Sequence, residues 1–360
     1  MKIGYFTMPH HPLQRDWSVT LREDREAVIL ADRLGFHEAF IGEHATDAAE
    51  TITSCLTFIA SLAYETENIR LATGTLNLPN SHPVTIATHA AMVDHMLEGR
   101  FLLGIGPGAL ATDFEVFGTL QSDRRAMFLE SIEQILGIWT GSPPYDLNGQ
   151  FWNISTAKTM DLDVGSGVLP KPYQKPYPGV VCTALTPYSK GPTAVGERGW
   201  SLITSNFVQG VGAASHWEAF REGCENVGDR TAAKKWRVAR LIFVAEDMET
   251  ADRYAMSLDG PYGLCMRHIH YKLSANGNLG VFKNSPDQKD SAITPEYCMK
   301  NLVISGTPEI VADKILALRN VAGPFETLLY VGVDWQDRNL AQKSMELFAR
   351  EVVPRINTQL

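Results

Sequence analysis

His10, His11, Glu43, His44 and Asp113 each follow a short apolar, β-rich run in the first third of a 360-residue chain. Imidazoles and carboxylates grouped in this way can ligate a metal or move protons. The spacing serves a metal poorly. Glu43 and His44 are neighbours on one extended segment and point in opposite directions, so only one of them can face a common centre. Proton transfer asks for less: His44, an imidazole titrating near neutrality at a barrel mouth, suits general acid/base work. His10 or His11 would then be a second polar contact to substrate. The plain alternative for His44 is a loop histidine satisfied by a backbone carbonyl.

Two further segments could approach a phosphate. Gly106-Pro107-Gly108 follows an apolar strand but lacks the lysine and spacing of a P-loop and the glycines of a dinucleotide fingerprint, so by itself it reads as a tight turn. Thr186-Pro187-Tyr188-Ser189-Lys190-Gly191 leads into a helix from Pro192. Ser189, Lys190 and the free amides of that first turn would make an anion pocket, the alternative being an ordinary Ser and Lys cap.

The elements that must position these groups are β-rich runs at Lys2–Thr7, Glu38–Ile41, Ile69–Leu76, Phe101–Ile105, Val180–Ala184, Ser201–Thr204, Val238–Val244 and Thr327–Val333. Between them lie stretches with apolar residues at helical spacing, such as Leu21–Leu34 and Val84–Leu97, closed by Gly35 and Gly99. Strands alternating with helices predict a parallel sheet closed into a (β/α)8 TIM barrel forming a single domain over residues 1–360. In such a barrel the residues just past the C-terminal strand ends build the site, which is where the five residues above fall. Two insertions interrupt the rhythm. Residues 142–178 are rich in Gly and Pro and contain a short hairpin near Asn148–Asn153; residues 260–295 are polar and read as a lid loop.

Bulk composition narrows the function. The formal net charge of −9 is spread along the chain without a run of Lys or Arg, which argues against a nucleic-acid partner. The five cysteines are scattered with no C-x-x-C pair, and so read as reduced thiols with neither a disulfide framework nor a zinc site. The N-terminal MKIGYFTMPHHP lacks the pattern of a signal peptide, and no apolar stretch reaches the roughly 20 residues a membrane span requires. The expectation is a cytoplasmic enzyme acting on a small molecule.

The runs Leu78-Pro79-Asn80-Ser81-His82-Pro83-Val84, Leu97-Glu98-Gly99-Arg100-Phe101, Gly104-Ile105-Gly106 and Asp113-Phe114-Glu115-Val116-Phe117-Gly118 resemble the bacterial luciferase-like flavin monooxygenases. Gly42-Glu43-His44, Gly196-Glu197-Arg198-Gly199 and Gly306-Thr307-Pro308-Glu309 extend the resemblance over most of the chain. His44-Ala45 and the overall length are also similar to the diketocamphane monooxygenases. The resemblance implies a luciferase-like barrel with His44 in proton transfer during oxygen activation and Asp113 near the flavin. It places a non-prolyl cis peptide at Gly74-Thr75 beneath the isoalloxazine ring, and Tyr188, Ser189, Lys190 and Gly191 around the phosphate of FMN. Relatives have a reactive cysteine where this chain has Gly106, so no thiol chemistry is expected there. They have a phosphate-binding arginine where this chain has Pro107, which makes Lys190 the expected replacement cation.

The implied function is a two-component monooxygenase that receives reduced FMN from a separate reductase and oxygenates a small apolar substrate, a cyclic ketone, terpenoid or aldehyde. Phe6, Met8, Trp17 and Phe207 would form the apolar wall. The absence of a dinucleotide fingerprint fits an enzyme that does not bind NADH itself. A homodimer is implied by the resemblance alone. The competing readings are a deazaflavin-dependent dehydrogenase on the same barrel and a non-catalytic flavin-binding accessory subunit.

Overall fold

The computed structural model describes residues 1–360. Its strands are β1 (Lys2–Thr7), β2 (Glu38–Ile41), β3 (Arg70–Thr73), β4 (Leu76–Asn77), β5 (Phe101–Gly106), β6 (Asp146–Asn148), β7 (Asn153–Ser155), β8 (Val180–Ala184), β9 (Ser201–Thr204), β10 (Trp236–Val244), β11 (Val303–Gly306) and β12 (Thr327–Val331). The helices used below are α1 (Trp17–Arg33), α2 (Cys55–Ala60), α3 (Pro83–Met96), α4 (Ala111–Val116), α5 (Arg124–Thr140), α6 (Gly191–Glu197), α7 (Gly210–Asn226), α8 (Ala232–Lys235), α9 (Met248–Ala255), α10 (Pro261–Ala275) and α11 (Pro295–Leu302).

Strands pair in the order β12-β1-β2-β3-β5-β8-β9, and β10 bonds both β9 and β12, so eight parallel strands close a barrel. This is the predicted (β/α)8 architecture. β4 continues the line of β3 and pairs with β5, so the predicted run Ile69–Leu76 is two short pieces separated by Gly74-Thr75. The extra strand, β11, pairs with the outer half of β10, Leu241 to Val244, which overlaps the part of β10 that bonds β12 only at Leu241. Four residues at the end of a helical pattern are too few to show a strand period.

By contacts the chain forms two compact units, one of Met1–Phe40, Ala48–Thr51 and Val181–Leu360 and the other of Ile41–Asp47 and Ile52–Val180. In the first, the aromatic core includes Tyr5, Phe36, Tyr330 and Phe348, all under 5% exposed. In the second, Phe101, Leu103 and Ile105 of β5 are buried, as are Ile86, Ala87, Ala90 and Ala91 of α3 and Ile132, Ile135, Ile138 and Trp139 of α5. The predicted hairpin is present as antiparallel β6 and β7. The second insertion is present too, but its first half is the helix α10 rather than a loop. Tyr262, Cys265 and Met266 recur at helical spacing there and are buried, and Pro261 stands in the first turn, where its missing amide costs nothing. No helix is long and apolar enough to cross a membrane.

Candidate functional site

In the second unit, the exit of β2 separates Glu43 from His44, as the alternation of an extended chain requires. His44 Nδ1 lies 2.9 Å from Asp113 Oδ2. Asp113 sits on α4, is 1% exposed, and accepts from the Thr46 amide at 3.0 Å and the Thr46 hydroxyl at 2.6 Å through its other oxygen. Burial, the largest influence, would push the Asp113 carboxyl up. The hydrogen bonds from His44 and Thr46 together outweigh it and hold the group below the usual carboxylate range. An ionised Asp113 only accepts, so His44 carries its proton on Nδ1 and, when neutral, has its lone pair on Nε2. That pair can relay a proton to or from a ligand at Nε2.

Glu43 faces the other way. It accepts from the Cys55 amide and thiol, both at 3.0 Å, and from the Asn77 amide at 3.2 Å. Its carboxylate thus meets the N-terminus of α2 and fastens β4, and burial raises its carboxyl above the ordinary range. It joins no metal-ligating group with His44.

The Gly74-Thr75 peptide is cis, and the Gly74 amide donates to Ile41 O at 2.6 Å. β5 passes very close: a Cβ on Gly104 would stand 1.8 Å from Thr73 O, and one on Gly106 would stand 2.7 Å from Thr75 Oγ1. Backbone approach excludes a side chain at Gly104, whereas a Cβ at Gly106 would require the Thr75 hydroxyl to shift.

A cation that sequence reasoning missed stands beside the following loop. Arg124, the first residue of α5, donates to Pro107 O and, at 2.5 Å, to Thr119 Oγ1. Its guanidinium lies 3.4 Å from the centre of the Phe114 ring, while its Nε is buried without a hydrogen-bond partner. Burial lowers its pKa, with Asp113 acting in the opposite sense. A guanidinium with a spare donor next to Gly106-Pro107-Gly108 is equipped to take an anion. Its sequence signal was only a helix start, Asp123-Arg124-Arg125, in which Asp123 caps the Ala126 amide.

In the first unit, the Thr186–Gly191 loop is held from α7. His216 bonds Thr186 O at 2.9 Å and Thr204 Oγ1 at 3.2 Å, and the Tyr188 amide donates to Ser215 Oγ at 2.9 Å. Burial lowers the His216 pKa, so it serves as a neutral strut. Tyr188 has φ of 60° and its side chain is 64% exposed, while Lys190 occupies the cap position before α6. Phe6, Met8 and Phe207 are half-buried, and Trp17 is exposed at the start of α1.

The two histidines after β1 differ. His10 Nε2 is 3.2 Å from Glu50 and 3.3 Å from Lys272 Nζ. His11 is 2% exposed, with Nδ1 at 2.6 Å from Asp334 and Nε2 at 3.3 Å from Asp24, so neither ring nitrogen is left for a substrate. Arg15 adds bonds to Asp334 and Glu23. Burial, the largest influence, would lower the His11 pKa, but its two carboxylate partners lift it to about 9. A pKa raised on folding contributes stability that is whole below the unfolded value near 6.5 and is lost as pH climbs through about 9. His11→Asn should therefore lose up to about 3 kcal/mol near pH 6, and the gap in melting temperature from the unaltered protein should close towards pH 9. Parallel melting curves across that range would rule out a charged His11.

The luciferase-like monooxygenase family model matches residues 1–323. The chain is 29% identical to 4-hydroxyprotoasukamycin monooxygenase of Streptomyces nodosus subsp. asukaensis, covering 100% of this chain and 93% of the relative. It is also 29% identical to limonene 1,2-monooxygenase of Rhodococcus erythropolis, covering 99% and 87%. The oxygenating constituent of 3,6-diketocamphane monooxygenase from Pseudomonas putida, a type II Baeyer–Villiger monooxygenase solved in complex with FMN, superposes with a TM-score of 0.88 at 26% identity over 99% of both chains. With its model matched over residues 1–323, the chain belongs to the luciferase-like monooxygenase family.

Proposed function

We propose that the protein is the oxygenase component of a two-component monooxygenase, taking FMN already reduced by a separate reductase and using oxygen to oxygenate a small apolar substrate. Cyclic ketones, terpenoids and aldehydes are the substrate classes assigned, and a cytoplasmic homodimer is the form. The observation that carries the reading is the His44–Asp113 pair: a buried, ionised carboxylate fixing one imidazole tautomer is the equipment of a proton-transfer site. The FMN bound by the diketocamphane relative supports flavin as the cofactor. The residues fit such a group. Gly104 and Gly106 keep β5 flush beneath Gly74-Thr75, where the reading lays the ring, and Arg124 has a buried donor to spare for an anion.

When bound, reduced FMN supplies the electrons that activate oxygen. His44 Nε2 gives and takes protons at the reacting oxygen, and Asp113 holds the ring in place and stabilises its charged form. Ser189, Lys190, Gly191 and the Tyr188 turn receive the phosphate, with Lys190 as its cation. Phe6, Met8 and Phe207 offer an apolar lining that excludes water.

The purified protein with a flavin reductase, NADH and FMN under air should oxygenate a member of a panel of cyclic ketones, terpenoids and long-chain aldehydes. If it oxygenates none, yet reduces a deazaflavin anaerobically with an alcohol, the reading fails in favour of the dehydrogenase. Arg124→Met should weaken FMN binding, followed by flavin fluorescence, by about tenfold to a hundredfold, the worth of a charge-assisted hydrogen bond. Unchanged affinity would remove Arg124 from the flavin's partners.

A further inference from the structure

The polar group around His10 has no place in the proton-transfer pair, and it is shared with the insertion. His10 follows β1 and is 3% exposed; Glu50, in the segment after β2, is 2% exposed. Their side chains meet at 3.2 Å. The other two members belong to α10. Lys272 Nζ is 3.4 Å from Glu50 Oε2 and 3.3 Å from His10 Nε2, and the His268 ring lies 4.9 Å from the His10 ring at 34°. His268 and Lys272 are four residues apart, hence one above the other on a single helix face.

The rest of α10 shows why this matters. Its first two turns are fixed: Pro261, Tyr262, Cys265 and Met266 are buried, and the Tyr262 hydroxyl donates to Ile242 O at 2.6 Å. From Arg267 onward no residue of the helix is buried. The chain is next pinned at Phe282, whose carbonyl accepts from Gln209 Nε2 at 3.1 Å and whose ring meets Phe207 at 6.2 Å. Within the insertion the outer half of α10 meets only His270's partners, Ile293 O at 2.7 Å and the Phe282 ring at 6.0 Å; the face that carries His268 and Lys272 is what ties it to the segments after β1 and β2.

We infer that His10 and Glu50 are the socket of a latch whose bolt is Lys272 with His268, and that this latch withholds His10 from any ligand while the insertion is docked and releases it when the outer half of α10 lifts. Lys272 is a positioning residue here: it brings a cation to a carboxylate that is almost fully removed from water, where an ion pair is screened far less than at the surface. The docking stands apart from the flavin reading; only its consequence for substrate rests on that reading.

The test compares the full chain with Lys272→Met, Lys272→Arg and His268→Ala, using hydrogen–deuterium exchange together with diethyl pyrocarbonate labelling mapped by mass spectrometry. In Lys272→Met, amide exchange across residues 267–275 and labelling of His10 should rise together by about tenfold, with residues 261–266 unchanged, as expected for local rather than global opening. Lys272→Arg should restore most of the protection, and His268→Ala should move both readouts the same way by about threefold. Unaltered exchange in Lys272→Met, or faster exchange with His10 still unlabelled, would overturn the latch. On the flavin reading, Lys272→Met should also release more hydrogen peroxide per NADH oxidised. If the unaltered protein oxygenates nothing, that reading fails and the exchange and labelling results still decide the latch.

Discussion

On the proposed oxygenase reading, Asp113→Asn should lower kcat by about 10²–10⁴-fold, the range spanned by loss of a general acid/base and by loss of the carboxylate that fixes its tautomer, with FMN affinity nearly unaltered. The reason is the direction of the hydrogen bonds. The two donors of Thr46 claim one oxygen of residue 113. An asparagine would keep that oxygen for Thr46 and turn its amide nitrogen, a donor, towards His44 Nδ1. His44 must then accept at Nδ1 and move its proton to Nε2, so Nε2 changes from acceptor to donor. The fold has little reason to change, since the replacement is isosteric and the carboxylate's neighbours stay hydrogen-bonded. His44→Ala should cost about as much as Asp113→Asn, and the double variant scarcely more than either, because the two residues act as one unit. Steady-state turnover and flavin titration of the three variants decide it. A kcat for Asp113→Asn within about twofold of the unaltered protein would take the pair out of the chemistry.

His44 is a candidate from sequence because it lies just past a predicted strand, and strand ends in this architecture face one mouth; Asp113 sits farther on, in α4, and its pairing with His44 is not legible there. The barrel was legible for a related reason: β-rich runs separated by helical periodicity admit few topologies. What escaped was information carried by side chains reaching across the chain. Arg124 lies 17 residues after Pro107, whose carbonyl it meets, and no local pattern distinguishes it from Arg125 beside it. His216, in α7, fastens a loop 30 residues earlier, which no local pattern marks. His11 looked equivalent to His10 until its two carboxylates, one 13 and the other 323 residues away, showed it to be committed on both nitrogens. The residues 260–295 were read as a loop from their Gly and Asn content, which is concentrated at 276–280 and says nothing about the apolar spacing of Tyr262, Cys265 and Met266 before it. Polarity counts averaged over an insertion hide the helix within it.

Glu38→Ala should destabilise the protein by about 3–5 kcal/mol, the usual consequence of removing one partner of a buried ion pair. Glu38 opens β2 and is wholly buried, and Arg237, the second residue of β10, is 6% exposed. Their contact is two-pronged, Nε to Oε1 at 2.5 Å and Nη2 to Oε2 at 2.9 Å, with Nη1 also donating to Lys235 O at 3.2 Å. Alanine at 38 would leave a guanidinium in the interior with one carbonyl and no counter-ion, which costs far more than the contact itself supplies. The pairing of Glu38→Met with Arg237→Met tests this account: removing both charges together should recover most of the loss, because the attraction in the native pair is largely offset by the desolvation of its two members. Both residues stand at the N-terminal ends of their strands, whereas His10 follows the C-terminal end of β1, and the N-terminal end of a barrel of this kind governs stability rather than chemistry. Differential scanning calorimetry should therefore separate the single variant from the double, while kcat measured well below the melting temperature stays the same in both. A Glu38→Ala protein that melts with the unaltered one would mean that water reaches Arg237, and a double variant as unstable as the single would mean that the pair, rather than the uncompensated charge, holds these strands together.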